Sequence, residues 1–203
     1  HSYDYDTYLF EDKKTNNNAF KHNYAVYLDE AIFNHPDIDY LGVSPPGKSE
    51  KVYYEELSAF FNKFEQLTNL EVVISLHPRI KKHKKFGQRK IFEGKTANLV
   101  RNANKVILHA STSISYAILY QKPVIFVDSR NFSKDYSNTI GIMANSINHK
   151  PINLSSNYEI RENDFIYDKN FYDKYKYDYI KEMGTPDRPI WEIFCDYLDK
   201  LNS

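Results

Sequence analysis

Short apolar runs alternate with stretches of helical periodicity along most of this chain. Tyr24–Leu28 reads as a buried strand that ends at the polar pair Asp29-Glu30. From Lys51 to Asn69 the residues Tyr53, Leu57, Phe60, Phe61, Phe64 and Leu67 recur at helical spacing, which predicts an amphipathic helix. Glu71–Leu76 is a second strand, rich in β-branched residues and stopped by His77-Pro78; Arg89–Phe92 is a short third strand. A short helix follows over Lys95–Ala103, then a fourth strand over Lys105–His109, a helix over Ser113–Tyr120 and a fifth strand over Pro123–Val127. Beyond Asp128 the pattern predicts helices at Lys134–Ser146, Phe171–Glu182 and Asp187–Leu201, with a short apolar stretch around Ile152. Asp187 is suited to cap the last helix, with Pro189 in its first turn.

Strands apolar on both faces that alternate with helices imply a parallel sheet covered on both sides. Right-handed crossovers then make a doubly wound, Rossmann-like α/β sheet. No repeat or low-complexity linker divides the chain. Its soft spots are Thr15–Asn18 and Ser44-Pro45-Pro46-Gly47, which suits neither helix nor central strand. Residues 1–20 read as a leading segment, continuing from a missing N-terminal part because His1-Ser2-Tyr3-Asp4-Tyr5-Asp6 is aromatic rather than loose. Residues 21–203 read as one domain.

Composition narrows the function classes. The chain has 203 residues, and its 41% hydrophobic content is enough for a core and argues against disorder. Its 27 basic residues balance 27 acidic ones, which disfavours nucleic-acid binding through overall charge. No apolar run approaches the roughly 18 residues that cross a bilayer. The single cysteine, Cys195, excludes an internal disulfide and fits a reducing, intracellular compartment. It falls on the apolar stripe Ile190, Trp191, Phe194 and Leu198, so it reads as a core residue rather than a nucleophile.

In doubly wound sheets ligands bind beyond the carboxyl ends of the strands, so the turn after each strand is where chemistry is expected. Ser111-Thr112-Ser113 brings three hydroxyls to the start of a helix, where Thr112 or Ser113 is the expected N-cap and free N–H groups suit a phosphate. Such a cluster is also an ordinary cap; its place at the end of a central strand favours the ligand reading. In His77-Pro78-Arg79 the proline holds His77 extended, so its imidazole leaves the strand end to donate to a phosphate or act as an acid, and Arg79 adds a forked donor. Gly94-Lys95-Thr96 offers a close backbone approach at Gly94, a cation at Lys95 and a capping hydroxyl at Thr96. The other lysines between Arg79 and Lys95, Lys81–Lys85 above all, read as a solvated loop. Asp29-Glu30 also faces the crevice; Asp29 is taken as a candidate catalytic acid–base group, equally readable as a capped solvent turn.

The glycine spacing of a Walker loop is absent, and with six glycines in all there is no G-x-G-x-x-G, which disfavours nicotinamide and flavin chemistry. The seven histidines show no metal-ligand spacing, so no metal is expected. There is no nucleophile elbow.

The segment from about Tyr24 to Asp128 resembles the nucleotide-binding C-terminal half of GT-B glycosyltransferases, above all bacterial enzymes of capsule and lipopolysaccharide assembly that use CMP-linked sugars. The stretches that carry this are Val72 to Arg79, Lys95 to Val100, and Val106 to Ala117 continuing through Lys122 to Phe126. The resemblance implies that His77 and Ser111 to Ser113 hold the nucleotide phosphate of a sugar donor. It implies no separate cofactor, metal-independent transfer to a glycan acceptor, and a cytoplasmic protein with peripheral association at the inner membrane face left open. Two departures stand out. The acidic ribose ligand found in many such enzymes is replaced by Ser115-Tyr116-Ala117, and the general base of the inverting members belongs to an N-terminal lobe not seen here. Alternatives are a CDP-polyol phosphotransferase, a sugar-nucleotide epimerase of similar fold, or a nucleotide-binding module without turnover.

Overall fold

The computed structural model describes residues 1–12, 23–80 and 85–201, apart from the side chains of 162 and 163. Thr15–Asn18 and the residues Lys81, Lys82 and Lys84 lie outside the described residues. The strands are β1 (Tyr24–Leu28), β2 (Glu71–Ser75), β3 (Ile91–Phe92), β4 (Lys105–Leu108), β5 (Val124–Asp128) and β6 (Ile152–Asn153). They form one sheet of order β3-β2-β1-β4-β5-β6, parallel throughout. Val26 of β1 sits between Val73 of β2 and Val106 of β4, and all three are fully buried, which is why these strands read as continuous apolar runs. Winding reverses between β1 and β4, so a crevice opens at that point beyond the strand ends. The doubly wound α/β architecture expected from the pattern is present.

Helices α1 (Tyr3–Asp12), α2 (Pro36–Leu41), α3 (Glu50–Thr68), α4 (Thr96–Asn102), α5 (Ile114–Leu119), α6 (Lys134–Ser146), α7 (Lys169–Tyr175) and α8 (Ile190–Leu201) surround this sheet. α3 starts at Ser49, whose hydroxyl accepts from the Val52 N–H, and stops at Asn69 in the left-handed region. It buries Tyr53, Leu57, Phe60, Phe61 and Phe64, but Leu67 of the same periodic set is 58% exposed because it falls in the last turn, past the sheet. The expected helix over Phe171–Glu182 is α7 continued by a wider π-type turn over Lys176–Ile180.

α1 lay outside the sequence expectations. It packs against α4 and α5, with Tyr5 buried. Asp187 does not cap the last helix, because Tyr5 and Lys181 both donate to its carboxylate. The N–H of Ile190 is instead met by Asp6 of α1 at 3.0 Å. Nor is Cys195 a core residue: it is exposed, and no residue of α8 is buried. Trp191 is 71% exposed and Leu201 64%, so the stripe read from the sequence is real as a pattern but uncovered here.

Phe64 has no exposed surface, and its ring meets Phe60 and Phe165. Phe64→Ala should lower stability by about 3–5 kcal/mol, whereas Leu67→Ala should stay within about 0.5 kcal/mol, both read as shifts in urea-unfolding free energy. Equal effects would contradict the packing of α3.

Candidate functional site

Four strand ends deliver their turns to one cleft of about 340 Å³. β1 contributes Leu28, Asp29 and Glu30; β2 contributes Ser75 to Pro78; the start of α4 contributes Thr96; the turn after β4 contributes Ala110 to Ser113. Thus His77 and Ser111, Thr112 and Ser113, more than thirty residues apart in sequence, line the same recess. His35, just before α2, joins them.

The two histidines are prepared in the same way. Each precedes a proline, which disfavours the helical region for it; His77 follows the end of β2 and His35 stands just ahead of α2. His35 Nδ1 accepts the N–H of Asp37 at 3.2 Å as the N-cap of α2, and His77 Nδ1 accepts the N–H of Arg79 at 3.3 Å. With Nδ1 accepting a backbone N–H in both rings, the N–H that each ring can donate is at Nε2. The rings meet edge to face, 4.7 Å between centroids. Burial, then the neighbouring His35 and Arg79, hold His77 below the ordinary histidine range, so it is a neutral donor at pH 7.

The hydroxyl turn behaves differently from a simple cap. Ser113 stands at the head of α5, but its side chain makes no capping bond; Ser111 Oγ accepts the Ser113 N–H at 3.3 Å instead. Thr112 is exposed and Ser113 partly so, and among the described residues neither hydroxyl has a protein partner. At the third turn, Thr96 is the first residue of α4 rather than its cap, and its hydroxyl pairs with Ser75 Oγ at 2.8 Å. Lys95 is exposed and absent from the cleft lining. Gly94 serves through its left-handed φ of 64°, not through a close approach, since a Cβ there meets nothing within 4 Å. Arg79 also points elsewhere: its guanidinium pairs with Asp37 at 2.9 Å and ties α2 to the His77 turn.

The acidic pair splits into two roles. Asp29 is buried, and its carboxylate accepts the N–H groups of His77 at 3.2 Å and Ala31 at 3.3 Å, so it braces the backbone. Ala31 has φ 53°, a left-handed conformation costing an alanine about 1–2 kcal/mol, and Asp29 helps hold it there. Glu30 turns towards the end of β4. Its Oε1 accepts from the N–H of His109 at 3.0 Å and of Ala110 at 2.9 Å, and its Oε2 accepts from Tyr136 OH at 2.8 Å. Burial outweighs these donors, and with Asp29 nearby it lifts the Glu30 carboxyl to about 7. A carboxylate with that affinity for protons is matched to acid–base work at neutral pH. Sequence reasoning singled out Asp29; alternation along an extended segment, which sends neighbours to opposite sides, was the available signal for Glu30. For His35 the signal was a second His-Pro pair.

Behind the cleft runs a buried polar chain. His109 Nδ1 donates to the Val127 carbonyl at 2.6 Å, so Nε2 accepts from Tyr53 OH at 3.3 Å, and Tyr53 in turn accepts from Tyr27 OH at 2.7 Å. Burial lowers His109 to about 4, so it is neutral. Among the described residues no group of three or more His, Cys, Asp or Glu is placed to hold a metal ion, and no helix is long and apolar enough to cross a membrane.

No protein-family model and no curated protein matches the chain. Among solved structures it is similar to Thermosulfurimonas dismutans KpsC, a beta Kdo 2,4 transferase, with 16% identity, a TM-score of 0.33 and 56% of this chain covered. The match spans 36% of that protein, and a likeness this slight carries no functional weight.

Between pH 4.5, the ordinary value for glutamate, and about 7, Glu30 binds more protons folded than unfolded, so it lowers stability as pH rises through that window. His109 acts with the opposite sign: its contribution is present above 6.5 and lost as pH falls towards about 4. Glu30→Gln should therefore gain on wild type in urea midpoint as pH rises through the Glu30 window, with the His109 effect cancelling between the two proteins. A pH-independent difference would contradict the raised carboxyl.

Proposed function

We infer that the cleft binds the phosphate of a nucleotide-linked sugar, and that the chain is the donor-binding lobe of a glycosyltransferase of bacterial surface-polysaccharide assembly. The observation that carries this reading is the convergence of His35, His77 and the Ser111–Ser113 hydroxyls in one cleft at the point where the sheet reverses its winding. Imidazole N–H groups and hydroxyls are donors suited to phosphate oxygens, and they stand ready before the ligand arrives. Arg79 and Lys95, expected beside them, do not line the cleft; Arg79 acts on it through its N–H to His77 Nδ1 and its pair with Asp37.

In the transfer step the acceptor oxygen forms a bond to the anomeric carbon and gives its proton to the Glu30 carboxylate. The bond between that carbon and the phosphate oxygen breaks, and its electron pair leaves with the nucleotide. His77 and the hydroxyls donate to the phosphate oxygens, where negative charge gathers, which makes a metal ion unnecessary to the scheme. Glu30 is chosen over Asp29 because it keeps some exposed surface where Asp29 is buried, and its carboxyl is lifted to about 7.

Calorimetric titration with CMP, CDP and UDP tests the reading and ranks the donors. His77→Ala and the triple change Ser111→Ala, Thr112→Ala, Ser113→Ala should each weaken CMP binding about tenfold or more, as expected when a charge-assisted hydrogen bond is lost. Affinities unchanged in both variants, or no binding of any of the three nucleotides to the wild-type chain, would remove the assignment.

A further inference from the structure

A second recess of about 260 Å³ adjoins the cleft, and Glu30 and His35 line both. Ile32, Ile38, Leu41, Val43 and Pro46 supply its apolar wall. We propose that this recess seats an uncharged, hydroxyl-bearing acceptor, a neutral glycoside in chemical class, with its reactive hydroxyl at the shared Glu30 carboxylate. The proposal rests on the transferase reading above and adds to it the class and seat of the second substrate.

Continuity is the first argument. Glu30 and His35 stand in the wall of both hollows, so a ligand in the recess and a ligand in the cleft would each border the same carboxylate. Glu30 is held at that boundary from three directions, by the N–H groups of His109 and Ala110 and by the Tyr136 hydroxyl, and Tyr136 is itself part of the recess wall.

Charge is the second. No Lys or Arg lines the recess. Its Asp37 is already matched by Arg79, which leaves Glu30 as the remaining acid. A phosphorylated or carboxylated sugar would enter against that carboxylate with no cation to receive it, a cost that a neutral ligand escapes. Surface character is the third. Leu41 is 64% exposed and Val43 52%, so the rim offers apolar contact beside a few polar groups, the mixture that suits the C–H face and hydroxyls of a sugar ring.

Saturation-transfer NMR on the whole chain tests this, with methyl β-D-galactopyranoside as the neutral probe and methyl β-D-glucuronide as the charged one, CMP affinity being measured by calorimetry on the same samples. Val43 is exposed, so Val43→Trp can fill the recess without disturbing the core, and Val43→Lys can add a cation. Wild type should give signal with the galactoside and none with the glucuronide. Val43→Trp should cut the galactoside signal about tenfold and leave CMP affinity unchanged, and Val43→Lys should admit the glucuronide. No galactoside signal, a signal that survives Val43→Trp, or equal signals from both probes in wild type would overturn the proposal. Loss of CMP binding with the galactoside response intact would sink the nucleotide reading alone and leave the recess a glycoside site.

Discussion

One carboxylate organises the crevice end of this molecule. Glu30 leaves the end of β1 and accepts hydrogen bonds from the backbone beyond β4 and from Tyr136 on α6. Three elements meet on it, and the turn bearing Ser111 to Ser113 begins at one of its donors. A buried acid costs stability unless it is hydrogen-bonded, and this one is satisfied at both oxygens while retaining a proton affinity near neutrality. The same group therefore helps to fix the geometry of the crevice and places a titratable charge in it. Removing it would release the backbone at the start of the hydroxyl turn as well as the Tyr136 hydroxyl.

The rest of the crevice follows from topology. Because every strand runs the same way, each contributes its outgoing turn to one edge, and the reversal between β1 and β4 separates those turns enough to leave a cavity. Backbone groups do the fine positioning. Asp29 braces the His77 turn, and each histidine spends Nδ1 on a backbone N–H, so both rings present the same face chemistry without needing a cation. α2 is attached through His35 and the Asp37–Arg79 pair, and none of its residues is buried.

Much of the architecture was legible because the central strands are buried on both faces and therefore read as continuous apolar runs; α6 was legible to the residue at both ends, Lys134 and Ser146. The failures have common physical causes. An amphipathic pattern says that one face is apolar but not that a partner lies in the same chain, which is why Cys195 and the α8 stripe were expected in the core. Capping side chains can come from far away in sequence, as Asp6 does for Ile190, so Asp187 looked right locally and was wrong. In the crevice, strand ends identified His77 and the three hydroxyls. Side-chain direction is not in the pattern: Arg79 turns to Asp37 and Lys95 to solvent, while Asp29 braces the His77 turn and Glu30 reaches the end of β4, both from the cleft wall.

The chain of Tyr27, Tyr53 and His109 has a consequence of its own. The Val127 carbonyl can only accept, so it dictates the histidine tautomer, which dictates the Tyr53 hydroxyl, which dictates Tyr27. Each rotor behind the crevice has a single satisfied orientation, and flipping any one of them would strand a polar atom away from water. The wall behind the crevice thus holds its dipoles like set type, each fixed by the one before it.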